Sequence, residues 1–170
     1  MSRARASRRV PPSKYKTMRF LETKIPAPVI ATVLAVCMWF APGVAPDTVV
    51  FVHLRRALID FSVNLSAFVA IAAFGTFWRA RTTINPIRPD RAAVLVTHGI
   101  YGLTRNPMYL SLLLLLLAYA GQQWSWGAAL GPVAFVAYVN RFQILPEERV
   151  LEAKFGSAYA DYKGRVRRWI

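Results

Sequence analysis

The sequence predicts an all-α integral membrane protein of about four transmembrane helices, and three observations carry that prediction. The chain has 170 residues, is 55% hydrophobic and has a positive mean hydropathy, more apolar surface than a soluble domain of this size can bury. Its apolar residues gather into runs close to the twenty that a bilayer core requires. Basic segments separate those runs, with 22 Lys and Arg against 8 Asp and Glu. That distribution fits membrane topology better than the continuous basic face of a nucleic-acid binder, so no nucleic-acid partner is expected. The length fits one domain.

Residues 1–24 form a basic arm, with Arg3, Arg5, Arg8, Arg9, Lys14, Lys16, Arg19 and Lys24 against Glu22 alone. Such an arm is expected to be disordered, cytoplasmic and in contact with anionic membrane lipids. A secretory signal peptide is the rival reading, but the apolar run that follows is long for one, and a retained anchor fits it better. Residues 25–170 are expected to form a single membrane domain with spans at about 25–44, 57–78, 107–121 and 124–141. Pro26 and Pro28 open the first span, where missing N–H groups matter little. Residues 41–52 are expected as a short external turn. Arg55 and Arg56 fall on that external side and count against the orientation. Asp60 and Asn64, four apart, share one face of the second span and are expected to turn inward.

Arg79, Arg81, Arg88, Arg91 and Arg105 place the next loop in the cytoplasm by the positive-inside rule. The last two spans read as a tight helical hairpin broken at Gly121-Gln122-Gln123, with Trp124 and Trp126 in the aromatic belt and a kink at Pro132. Four spans return a basic tail to the cytoplasm beside the N-terminus. Pro146 is expected to open a last, cytoplasmic helix with Glu147 and Glu148 in its first turn. With no organelle signal, a bacterial inner membrane is the expected location. Cys37 stands alone, and His53 and His98 are far apart in sequence, so no metal site is expected.

The stretch H-G-I-Y-G-L-T-R-N-P-M-Y (residues 98–109) joins the arginine-rich loop to the third span. Asn106-Pro107 is a strong helix start. It sets Arg105 beside a positive helix end at the headgroup boundary, a corner suited to a carboxylate or phosphate. The plainer alternative is a capped membrane helix with a snorkelling arginine. G-I-Y-G-L-T-R-N-P-M-Y resembles the signature of the isoprenylcysteine carboxyl methyltransferase family, membrane enzymes related to the phospholipid N-methyltransferases. A second block is similar to the same family: Pro146-Glu147-Glu148, Leu151, Phe155-Gly156, Tyr159 and Tyr162, with Val166 and Arg168 near the end. The likeness runs from about Thr82 to the C-terminus, in the family's order and spacing. This chain carries Asn106 where eukaryotic carboxyl methyltransferases usually carry His, a departure that bears on the prenylcysteine substrate rather than the cofactor.

The resemblance implies an S-adenosylmethionine-dependent methyltransferase acting on a lipophilic acceptor at the cytoplasmic face. Its implied cofactor contacts are His98, Gly99, Tyr101, Arg105, Asn106, Pro107, Tyr109, Glu147, Glu148 and Tyr159, with Arg105 and Glu148 nearest the chemistry. Such a donor needs an anion corner, carboxylates for its ammonium or ribose, and aromatic faces for its ring and sulfonium. An anionic acceptor needs no base; an amine would have to lose a proton, to Glu148 or His98. Two other functions compete: a nicotinamide-dependent membrane reductase of the sterol reductase type, and a non-enzymatic membrane scaffold.

Overall fold

The computed structural model describes residues 24–43, 49–80 and 94–170, and regular structure among them is entirely helical. The basic arm up to residue 23, and residues 44–48 and 81–93, lie outside the described residues. The helices are α1 (Ala27–Trp39), α2 (Val49–Ala80), α3 (Pro107–Gln123), α4 (Trp126–Val139), α5 (Leu145–Phe155) and α6 (Ser157–Arg165). A 3-10 turn, Gly99–Gly102, precedes α3, and a π turn, Asn140–Ile144, joins α4 to α5.

Two of these helices are long and apolar enough to cross a bilayer, Val50–Arg79 and Trp126–Phe155. Only 17% of the most apolar stretch of the first is buried in the fold. Phe61, Phe68 and Ile71 point away from the protein, where a soluble protein would need to hide them. The environment that matches this surface is lipid.

The boundaries depart from the sequence expectation in three places, each for a local reason. α1 stops at Trp39, five residues early, because Pro42 lies two residues beyond its cap Phe40 and forbids continuation. α2 begins at Val49 rather than 57. Arg55 and Arg56 mark a change of solvent, but charge does not end a helix, and no proline interrupts this one. α3 runs through Gly121-Gln122-Gln123, and the hairpin turns instead at Trp124 and Ser125. Trp124 adopts a left-handed conformation (φ 47°, ψ 54°) and donates its N–H to the Ala120 carbonyl at 3.0 Å. Phe51 meets its ring edge-on at 4.9 Å.

Pro146 stands in the first turn of α5 with Glu147 and Glu148, as expected, but α5 is not a separate helix. The π turn carries the chain straight from α4 into α5. Leu145 donates its N–H to the Asn140 carbonyl, five residues back. That wider turn relieves the clash between a proline ring and the carbonyl four residues earlier. The extra residue also rotates everything beyond it by about 100° against an uninterrupted α-helix. Asp60 and Asn64 do not turn inward: both are exposed, and the Asn64 amide donates to the Asp60 carbonyl of its own helix at 2.7 Å.

Small residues let the helices approach. Ala27, Ala31 and Met38 of α1 pack with Ala128, Phe135 and Val139 of α4, and with Tyr109 and Leu116 of α3. Ser66 of α2 donates to the Ser111 carbonyl of α3 at 2.8 Å, both buried, and Gln143 of the π turn donates to the Ile25 carbonyl at 2.7 Å. Gly156, at φ +54°, breaks the chain between α5 and α6. α6 then turns Tyr159 and Tyr162 into a small core with Val166, packed against Leu95, Leu151 and Phe155.

Candidate functional site

Asn106 holds the N-cap position of α3, but its side chain makes no cap bond. Its amide donates to the Arg168 carbonyl at 2.9 Å. The Thr104 hydroxyl, 3.3 Å from that same carbonyl, accepts the Asn106 N–H at 3.2 Å, and the Arg105 N–H donates to the Arg167 carbonyl at 3.0 Å. Three consecutive residues of the T-R-N-P segment are thus tied to the C-terminal tail. Trp169 fastens the tail again by donating to Asn140 in the π turn at 3.2 Å.

This strap places two guanidinium groups on one carboxylate. Glu148 is 7% exposed. It accepts Arg168 Nε at 3.0 Å and Nη2 at 2.8 Å, and lies 3.2 Å from Arg105 Nη1. The Arg105 side chain is only 11% exposed, and its Nε and Nη1 have no hydrogen-bond partner. Nη1 faces Glu148 as an ion pair, which leaves Nε as the buried donor without a partner, a group suited to an anionic acceptor. Beside it the Tyr109 hydroxyl donates to Glu147 Oε1. The Tyr162 hydroxyl donates to the Tyr101 carbonyl at 2.7 Å, fixing α6 onto the 3-10 turn. Burial pushes the Tyr159 phenol up to about 12, with Glu148 adding to the shift and Arg105 opposing it, and burial raises Tyr101 and Tyr162 in the same direction. At neutral pH these three phenols are protonated and keep a hydrogen to donate.

These groups form one end of a cavity of about 320 Å³, within the range of small-molecule sites. Tyr101, Arg105, Tyr109, Glu147, Glu148 and Tyr159 contribute to its wall, with Asn106 and Pro107. The remainder is mostly apolar: Ala27 and Pro28 of α1, Ala70 and Phe77 of α2, and Met108 and Leu112 of α3, joined by residues 94–96, by Ile144 and Leu151, and by the polar Ser111 and Tyr162.

Eight of the ten cofactor contacts expected from the sequence therefore share one cavity, and two do not. His98 is exposed and begins the 3-10 turn, and Gly99 serves the turn itself, with φ +63° and a Cβ position only 3.0 Å from Thr76 Oγ1. Neither lines the cavity, because the turn directs Tyr101 inward in their place. The sequence reading also missed Phe77 as a wall residue and Arg168 as the partner of Glu148. Phe77 was findable from helical period, since Val69, Ala73 and Phe77 repeat every four residues on the inner face of α2. Arg168 stood in the matching block, but nothing local linked it to Glu148.

The alternative explanation of Glu147 and Glu148, charges complementing a helix start, loses its basis here. They sit in a continuous helix, where no free N–H groups concentrate a positive end. What remains is a pair of carboxylates, one held by a phenol and one by two arginines, facing a cavity.

Comparison with known proteins agrees with this geometry. The family profile described as phospholipid methyltransferase matches residues 51–158, well over half of the chain. The chain belongs to the phospholipid methyltransferase family. That family includes the isoprenylcysteine carboxyl methyltransferase-like membrane enzymes, so the chain is a membrane methyltransferase by descent. The chain is also similar to an uncharacterized protein of Haemophilus influenzae, 50% identical over 66 residues, which are 37% of this chain and the whole of that protein.

Phospholipid methyltransferase family members generally use S-adenosylmethionine, and the cavity fits that group on its own chemistry. It offers a carboxylate-binding guanidinium with a free donor, two carboxylates for an ammonium or ribose, and aromatic walls. The family match ends at residue 158, before Tyr159, Tyr162 and Arg168.

Proposed function

We propose that this protein is an S-adenosylmethionine-dependent methyltransferase acting on a lipophilic acceptor at the cytoplasmic face of a membrane. The observation that carries the reading is the two-sided cavity. Its polar part gathers Arg105, Glu147 and Glu148, and most of its remaining wall is apolar side chains, Ala27, Ala70, Phe77, Met108 and Leu112 among them. A polar donor suits the first part and a lipid-like acceptor the second.

Bound there, S-adenosylmethionine would supply an electrophilic methyl group whose transfer leaves a neutral thioether. Arg105, steadied by Glu148 at Nη1, would hold the donor's carboxylate through its unpartnered Nε–H. Glu147 and Tyr109 accept and donate at its ammonium or ribose, while Tyr101, Tyr159 and Phe77 give faces for its flat and cationic parts. Glu148 keeps Arg105 in place rather than acting as a base, because both its oxygens are engaged by guanidinium groups. Glu147, bound by Tyr109 at Oε1 alone, is the wall carboxylate that could take a proton from an amine acceptor, whereas an acceptor that arrives anionic needs no base. Positioning and exclusion of water supply the rate.

The basic tail, from Arg149 to Arg168, lies at the cavity end of the helices and supports a cytoplasmic face by the positive-inside rule. On this reading α1 and α3 also cross the bilayer, giving four spans and two cytoplasmic termini in a bacterial inner membrane.

Calorimetric titration of the detergent-solubilised protein tests this. S-adenosylmethionine and its demethylated product should each bind saturably at one site, and a reduced nicotinamide dinucleotide should not. Arg105→Ala and Glu147→Gln should each weaken donor binding at least about tenfold, the loss of one charge-assisted contact. Binding of the nicotinamide alone, or unchanged donor binding in both folded variants, would refute the assignment.

A further inference from the structure

A second cavity, of about 210 Å³, lies between α2 and α3 far from the first. Phe51, Leu54, Leu58, Leu117 and Trp124 line it, together with Arg55. Leu54 and Leu58 are more than half exposed, so the groove opens on the outer surface of the helix pair. Arg55 and Phe77 are 22 residues apart on one helix, about 33 Å at 1.5 Å per residue. That is close to the roughly 30 Å of a bilayer's hydrocarbon core. With the first cavity at one headgroup boundary, Arg55 stands at the other. Trp126, 91% exposed, lies next to the groove's Trp124 in the hairpin turn, as an interfacial aromatic belt requires.

Arg55 is unusual for an interfacial arginine. A snorkelling side chain presents its guanidinium to water, whereas Arg55 Nε is shut away from solvent and has no hydrogen-bond partner. Among the described residues no carboxylate forms an ion pair with it. A cation with a buried, unpartnered Nε in a largely apolar, membrane-facing groove, where Ser62 is the other polar side chain, suits an anion that carries its own apolar tail.

We infer that this groove binds one glycerophospholipid of the leaflet opposite the candidate active site, with its phosphodiester on Arg55 and an acyl chain along Leu54, Leu58 and Leu117. This accounts for Arg55 on the side where the positive-inside rule expects few cations: a lipid phosphate supplies the missing counter-charge. The inference rests on α2 crossing a membrane and not on the methyltransferase reading.

Native mass spectrometry of the full chain in detergent, with added dioleoyl phosphatidylglycerol, tests it. One phospholipid per chain should be retained, and dioleoylglycerol, with the same chains and no phosphate, at least about tenfold less. Arg55→Leu should lose the phospholipid by a similar factor, and Leu58→Trp should lose it by filling the groove with the cation intact. Arg56→Leu, an exposed neighbour, should retain it. S-adenosylmethionine titration of the same variants should match the parent, which separates failure of this site from failure of the active-site reading. Retention by Arg55→Leu equal to the parent, no phospholipid on the parent, or preference for oleate over phospholipid would each overturn the inference.

Discussion

Removing Glu148 should destabilise the protein chiefly by stranding Arg105. In Glu148→Ala, Arg105 keeps its position but loses the anion 3.2 Å away, with only 11% of its side chain exposed. Deleting one partner of a buried ion pair costs about 3–5 kcal/mol, because the remaining charge is left uncompensated. Arg168 adds little, since its side chain is 33% exposed and can turn to water, worth about 0–1 kcal/mol once screened. A total near 3 kcal/mol corresponds to a fall in melting temperature of about 6 °C or more for a chain of this length. Thermal unfolding in detergent, followed by intrinsic tryptophan fluorescence, reads that shift. The double variant Glu148→Ala/Arg105→Met should recover most of the loss, because no buried charge then lacks a partner. A Glu148→Ala melting point within about 2 °C of the parent, or a double variant no better than the single, would show that Glu148 is not the counter-ion of Arg105.

Other perturbations probe the parts that position the site. Tyr162→Phe removes the buried bond to the Tyr101 carbonyl and should cost about 1–3 kcal/mol by leaving that acceptor unpaired, read as a lower melting temperature. Gly156→Ala meets no atom within 4 Å, so its cost of about 1–3 kcal/mol should come from φ +54° alone. At ψ −124° the position lies outside the left-handed helical region that Asn favours, so Gly156→Asn should cost about as much in the same melt. Tyr159 has a folded-state value of about 12 against an ordinary 10.0, so below pH 10 the folded and unfolded forms bind the same proton. Above it the unfolded chain releases that proton first, and stability should fall as pH rises from about 10 to 12. Phenolate absorbance should therefore appear together with unfolding, whereas phenolate formation well before unfolding would show these rings to be solvated.

How much of this was readable in advance differs from residue to residue. Apolar runs and basic loops are local properties, and they announced helices and a membrane before any packing was known. So did Asn106-Pro107, which begins α3 at the expected residue, although the Asn106 side chain bonds elsewhere. Helix ends were less legible where charge and breaker disagreed. Arg55 looked like a boundary and was not, whereas Pro42 two residues past a cap was. The π turn left no local mark: Pro146 had every feature of a helix start, and only the register of the preceding turn reveals that the helix passes through it.

The sequence by itself determined the class of protein, the membership of most groups in one site, and the chemistry those groups can perform, because residue type and short-range spacing suffice for each. Tertiary structure alone decided which charges meet. Glu148 lies 43 positions from Arg105 and 20 from Arg168, and only the tail's hydrogen bonds to residues 104–106 bring all three together. It also decided that His98 stays outside, and that Arg55 stands about a bilayer's thickness along α2 from the cavity that Phe77 lines. Long-range placement depends on how helices pack and where the chain turns back, which no window of neighbouring residues encodes.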